Sequence, residues 1–267
     1  MAKLESLSLV GLTFSTLTAG FIYGWLGADA CAYLTAFTTF IGFVIVCFLP
    51  NIKESRRVVA DNVSKMKDLM NISKFTVKHP EIKWLILFPA CYGALTFALL
   101  WGMQPMMVEK GVPVYLFGII AGCNMFFRTG WAYFSGVMLD KIRLRKTARV
   151  LFYTLCLGVL SSIVIMSAPN IAMVYVLLVL IGIANSSQIA VEIITSNFVH
   201  HRIQSNERST VISVKSMVAM MSSGTLMILM KPLIDFYGIQ ISFIVCGLLL
   251  LPIFVSMIRL LKLRIKE

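Results

Sequence analysis

Two ionisable side chains lie deep inside apolar stretches of this chain, Arg128 and Glu192. At membrane depth such a group is costly, which makes each a candidate for relaying protons, forming an ion pair or gripping a polar solute. Glu192 shares a helical spacing with Asn185, Gln188 and Ser196, which puts all four on one face. Asn124 and Arg128 are one turn apart and also share a face. The two polar faces are expected to meet across an interior cavity, with Glu192 either protonatable or paired with Arg128. Trp101 and Gln104 could add an aromatic wall and a hydrogen-bonding group. The structural alternative is a set of interhelical hydrogen bonds worth ~1 kcal/mol each.

Enzymatic chemistry has less to work with. Glu192 is the only carboxylate deep in an apolar stretch, so paired-carboxylate hydrolysis lacks its second group. There is no HExxH pair and no phosphate-cradling glycine loop. The histidines are His79, His200 and His201, near the ends of apolar stretches, and His200-His201 with Glu207 reads as a solvated loop. The six cysteines are scattered without a CxxC pair and read as small apolar helix residues. No catalytic group, metal or cofactor is expected.

The elements that position these residues follow from composition. Of 267 residues, 58% are hydrophobic and 13% charged, and the mean hydropathy is +0.86. A soluble domain averages about 45–50% apolar and about 25% charged residues. More apolar surface is present than a soluble domain could bury, so the solvent is a bilayer. Disorder, collagen, coiled coil and a disulfide-stapled module are excluded. Eight apolar segments stand out, at 7–27, 31–49, 84–106, 113–139, 148–167, 171–199, 210–235 and 239–261. Each is long enough as a helix to cross a hydrocarbon core about 30 Å thick. An unpaired strand cannot satisfy its backbone in lipid, so the fold class is all-α and polytopic.

The net charge of +12 would suggest nucleic acid in a soluble protein. Here the bases fall between apolar segments, so the partner is the lipid bilayer and nucleic acid is not expected. Lys3, the run from Lys53 to Lys83, Lys141 to Arg149, Arg202, Arg208, Lys215 and Arg259 to Lys266 fall on one side, against Lys110 and Lys231 on the other. Both termini are therefore expected in the cytoplasm, in the plasma membrane. Ala28-Asp29-Ala30 imitates a signal-peptide cleavage site, but the run before it is long for that purpose. Residues 50–83 form a polar linker, with Val59, Val63, Met66 and Met70 on one stripe of an amphipathic surface helix. Pro80 suits the start of the next helix. Glu5-Ser6-Leu7-Ser8 and Glu207-Arg208-Ser209-Thr210 each open a Ser/Thr/Gly-rich helix, a Gly-containing turn and a more apolar helix. The first and last helix pairs thus read as corresponding ends of two repeated bundles.

Gly136, Asp140, Lys141, Arg145 and Lys146 match the G-x-x-x-D-[RK]-x-G-R-[RK] loop signature of the major facilitator superfamily, with Leu144 in the second glycine position. Gly136 would let helices approach closely, Asp140 would accept from a neighbouring helix N-terminus, and the bases would switch partners as bundles rock. The segment around Arg208 resembles the superfamily's loop between helices 10 and 11. Gly11, Gly20 and Gly24 match G-x8-G-x3-G of its drug:proton antiporters, although Trp25 replaces a proline and Ala28-Asp29 a glycine pair. The resemblance implies that the eight segments correspond to family helices 5 to 12, with helices 1 to 4 missing. It implies residues 1–49 as the last two helices of an N-terminal bundle, 50–83 as a cytoplasmic linker and 84–267 as a C-terminal six-helix bundle. It further implies secondary active transport of a small organic solute by alternating access, with proton-coupled export favoured. A truncated, non-transporting remnant or scaffold and a membrane-embedded enzyme are the alternatives.

Overall fold

The computed structural model of the protein describes residues 2–48, 80–141, 144–202 and 205–263, with side chains at 10–27, 29–48, 82–136, 148–199 and 211–259. Every element among them is helical. They are α1 (Ala2–Cys47), α2 (Pro80–Glu109), α3 (Tyr115–Lys141), α4 (Leu144–Val164), a 3-10 turn (Ile165–Ser167), α5 (Ile171–Ser186), α6 (Gln188–Arg202), α7 (Ser205–Gly247) and α8 (Leu250–Leu263). Helix is what a chain in lipid must form, and the hydroxyl residues show how it stays satisfied. Thr16 donates to the Leu12 carbonyl at 2.7 Å, Thr35 to Cys31 at 2.8 Å and Thr39 to Thr35 at 2.8 Å. Each polar side chain is closed off within its own helix.

Among the described residues, five segments are long and apolar enough to cross a membrane: Asp29–Cys47, Ile82–Glu109, Ala148–Ser167, Ile171–Val199 and Val211–Arg259. The expected spans over 7–27 and 113–139 are also helical, but less apolar. The first is rich in Ser, Thr and Gly; the second carries Asn124 and Arg128. Two long helices are in fact hairpins. In α1, Gly27 takes φ 81°, and the Cys31 sulfur lies 4.0 Å from the Ala19 carbonyl oxygen. A straight helix would separate those residues by about 18 Å, so the chain turns back. In α7, Gly238 also takes φ 81°, and Cys246 Sγ lies 2.9 Å from Met230 Sδ. Only glycine holds such a φ at no steric cost. The 49-residue Val211–Arg259 segment therefore carries two of the expected spans.

Pro80 opens α2, as expected for a residue without an N–H to lose at that position. The helix ends in a Schellman turn: Gly111 (φ 67°) donates to the Val108 carbonyl at 3.0 Å and Val112 to that of Met107 at 2.9 Å. Lys110 Nζ then donates to the Met166 carbonyl at 2.6 Å, tying this turn to the one at the end of α4. The Asn170 side chain caps α5 by accepting from Met173 N–H at 2.8 Å.

The inner helices are α2 and the α5–α6 run. Tyr92, Leu95, Leu99 and Met106 of α2 and Leu178 and Ile181 of α5 are fully buried. Small residues permit the crossings. A Cβ on Gly102 would overlap the Phe243 ring of α7, and one on Gly158 of α4 would overlap Ala184 of α5. The α1 hairpin leans on α3 through Gly20, whose added Cβ would lie 2.8 Å from Gly118 Cα. Among the described residues, a Cβ on Gly11, Gly24 or Gly136 would meet nothing within 4 Å. Of the glycines expected at helix contacts, only Gly20 sits at one. The side chains of Asp140, Lys141, Arg145, Lys146 and Arg208 lie outside the described ones, as does the amphipathic stripe from Val59 to Met70.

Candidate functional site

The 171–202 run is interrupted at a single residue, Ser187, between α5 and α6, although its backbone stays in the right-handed helical region (φ −65°, ψ −14°). Sixteen residues of α5 precede it, which places the break about 24 Å along the run, near mid-membrane. Three consecutive polar side chains here reach in different directions. Ser186 Oγ lies 2.5 Å from Asn124 Oδ1 and 2.7 Å from the Asn124 carbonyl oxygen, on α3. Ser187 Oγ lies 2.5 Å from the Tyr92 hydroxyl of α2, which is itself 3.1 Å from the Leu151 carbonyl oxygen of α4. Gln188 Oε1 accepts from Thr96 Oγ1 of α2 at 3.3 Å. Gly93 makes room for this last contact, since a Cβ there would lie 3.0 Å from Gln188 Nε2. One helix break thus ties together α2, α3 and α4.

From Gln188 the polar chain continues one turn on. Gln188 Nε2 donates to Glu192 Oε1 at 3.2 Å. Beyond it, Lys215 of α7 is buried, and its ammonium donates to Ser196 Oγ at 2.8 Å, Thr195 Oγ1 at 2.9 Å and the Glu192 carbonyl at 3.5 Å. Glu192 is near enough for its charge to act on that ammonium. The buried ammonium is thus held by two hydroxyls and a backbone carbonyl, and the charge of the half-buried Glu192 offsets part of its desolvation. Chemically, Thr96, Gln188 and the Glu192 carboxylate form one hydrogen-bonded series, and the Lys215 ammonium joins it through the Glu192 backbone carbonyl. Such a series can hold or release a proton without leaving a bare charge in lipid.

Lys215 is the chief correction to the sequence reading, which counted it with the cytoplasmic bases. The signal was present: Val211, Val214, Lys215 and Val218 share one helical stripe, and the first three are buried. Tyr92, Thr96, Ser186, Ser187 and Thr195 were likewise not singled out. Asn185 is buried near the end of α5, while Gln188, Glu192 and Ser196 share α6. A second correction concerns the facing pair. Asn124 does meet the α5–α6 run, but through Ser186, and it is Lys215 that neighbours Glu192. Arg128 Nε and Asn124 Nδ2 are buried without a hydrogen-bond partner among the described residues. Trp101 and Gln104 are exposed on α2, with the Trp101 ring edge-on to Phe97 at 5.9 Å.

The helices and this buried polar series define a class: an integral membrane protein built as an α-helical bundle with ionisable groups inside it. A family model described as the Major Facilitator Superfamily matches residues 1–202, more than half of the chain. The chain belongs to that superfamily of membrane transporters. The match runs from α1 through α6 and stops before the helix that carries Lys215. No curated protein matches the chain.

Proposed function

We propose that the protein is a secondary active transporter that moves a small organic solute by alternating access, as a proton-coupled exporter. The observation that carries this reading is the polar series Gln188–Glu192–Lys215, in which a half-buried carboxylate lies within electrostatic range of a buried ammonium inside a helical bundle. Protonation of Glu192 would free the ammonium to hold Thr195 and Ser196 alone, and loss of the proton would draw it back. Each state stabilises a different packing of α6 against α7, which is what coupling requires. Export over import rests on the Gly11, Gly20 and Gly24 spacing. The loop from Gly136 to Lys146, with Arg208, is assigned the switching role on its match to the superfamily signature. The same correspondence assigns 1–49 and 84–267 to two bundles joined by the 50–83 linker. The basic loops and both termini are assigned to the cytoplasmic face of the plasma membrane on charge alone.

The test is solute-dependent proton movement, followed with a pH dye in vesicles that carry the protein, across a panel of small organic solutes. The expected result is a signal that Glu192→Gln lowers at least tenfold. Equal proton-coupled movement by wild type and Glu192→Gln would overturn the coupling role. No solute-dependent movement of any kind would favour a non-transporting scaffold.

A further inference from the structure

We infer that Asn124 and Arg128 form a subsite for an anionic, oxygen-bearing group on the transported solute, a carboxylate or a phosphate; this deepens the transport reading and rests on it. Arg128 stands at the centre of α3, 13 residues from Tyr115 and 13 from Lys141. A guanidinium so placed is about 20 Å from either end of its helix, too far to reach headgroups. Arginine is a donor at every nitrogen and stays charged. Its buried Nε–H has no acceptor among the described residues, although buried donors are nearly always paired. One turn away, Ser186 holds one end of the Asn124 amide, and the other end, Nδ2, is buried and free. Two unmet polar atoms therefore lie on one face at mid-membrane.

The protein's own carboxylate does not fill the gap. Glu192 accepts from Gln188 and neighbours Lys215 instead. Trp131, the next residue along this side of α3, spends its indole N–H on the Ile183 carbonyl at 3.2 Å, which braces α3 against α5. The frame around Arg128 is thus held while its own donor is left open. A guanidinium fork matches the paired oxygens of a carboxylate or phosphate, and an unpaired cation in an apolar bundle selects strongly for an anion. The charge preference rests on Arg128, and Asn124 adds a second point of contact.

Equilibrium binding to the purified protein in lipid nanodiscs, measured by calorimetry, tests this without requiring flux. The probes are benzoate, benzamide and benzamidine, which share one ring and differ in charge, together with inorganic phosphate. Saturable binding of benzoate or phosphate is expected, with benzamide and benzamidine at least tenfold weaker. Arg128→Gln should weaken anion binding at least tenfold, and Arg128→Lys should retain part of it. If Arg128→Gln fails to fold, judged by size-exclusion, the charge selectivity of the wild type decides alone. Tight benzamidine or benzamide binding, no saturable anion binding, or unchanged anion binding by folded Arg128→Gln each overturns the subsite. A protein that binds anions but moves no solute keeps the subsite and loses the transport reading. One that moves solute while failing these tests does the opposite.

Discussion

Lys215 shows how a residue's neighbours, and not its type, decide its role. Counted by charge it belongs with the loop bases, because positive residues close to a span end ordinarily set topology. Its helical register says otherwise, since it repeats with buried valines. Which residue of α6 it would meet is a tertiary fact, and one helix's periodicity carries no information about its neighbour. The same limit explains Arg128 and Glu192: each was legible as a deep charge, but their pairing was not. Removing one partner of a buried charged contact leaves the other exposed to the full desolvation penalty. Lys215→Met is therefore predicted to destabilise the protein by about 2 kcal/mol. Adding Glu192→Gln to it should recover part of that loss, whereas independent sites would simply add. Unfolding titrations in mixed detergent give the comparison, and strict additivity would contradict the coupling. Tyr92→Phe, which removes a hydroxyl shared by Ser187 and Leu151, is predicted to cost about 1 kcal/mol in the same assay.

At the scale of elements, most of the helices were readable from hydropathy, because a lipid-exposed segment must be apolar over a fixed length. The turns were readable where glycine or proline stood at a boundary, as at Gly27, Pro80 and Gly238. The interruption at Ser187 was not, since no glycine or proline marks it and its backbone stays in the helical region. Glycine spacing proved an incomplete guide to contact. Gly20 meets Gly118, while Gly11 and Gly24 face open space in the described structure. Gly20→Ala is therefore predicted to lower the unfolding midpoint by pushing α1 off α3, whereas Gly11→Ala should be neutral or stabilise by up to about 1 kcal/mol. Equal effects of the two would contradict the packing described. Gly27→Ala and Gly238→Ala force a side chain into a left-handed backbone and should each cost about 1–2 kcal/mol. The two hairpins turn at glycines with the same φ of 81°.

For the whole molecule, charge and polarity divide the labour. The outer arm of α1, Asp29–Cys47, buries none of its span, whereas the α2 and α5–α6 spans are mostly buried. Polar groups accordingly gather on α2, α3, α6 and α7, where the bundle shields them from lipid. A helical membrane bundle was legible because composition alone excludes water as the solvent, and its superfamily through the likeness of Gly136, Asp140, Lys141, Arg145 and Lys146 to a loop signature. The arrangement of its interior was not, because hydrogen-bond partners lie up to 95 residues apart in the chain, as for Tyr92 and Ser187. The central claim is that the polar interior is a route, open to water from one side at a time. It is tested most directly by placing a single cysteine at Ser196 after replacing Cys31, Cys47, Cys91, Cys123, Cys156 and Cys246. Its reaction with a membrane-impermeant maleimide is then timed from each face of sealed vesicles. A transporter predicts labelling whose preferred side shifts with the pH gradient; a thiol inert from both faces at every pH would contradict it.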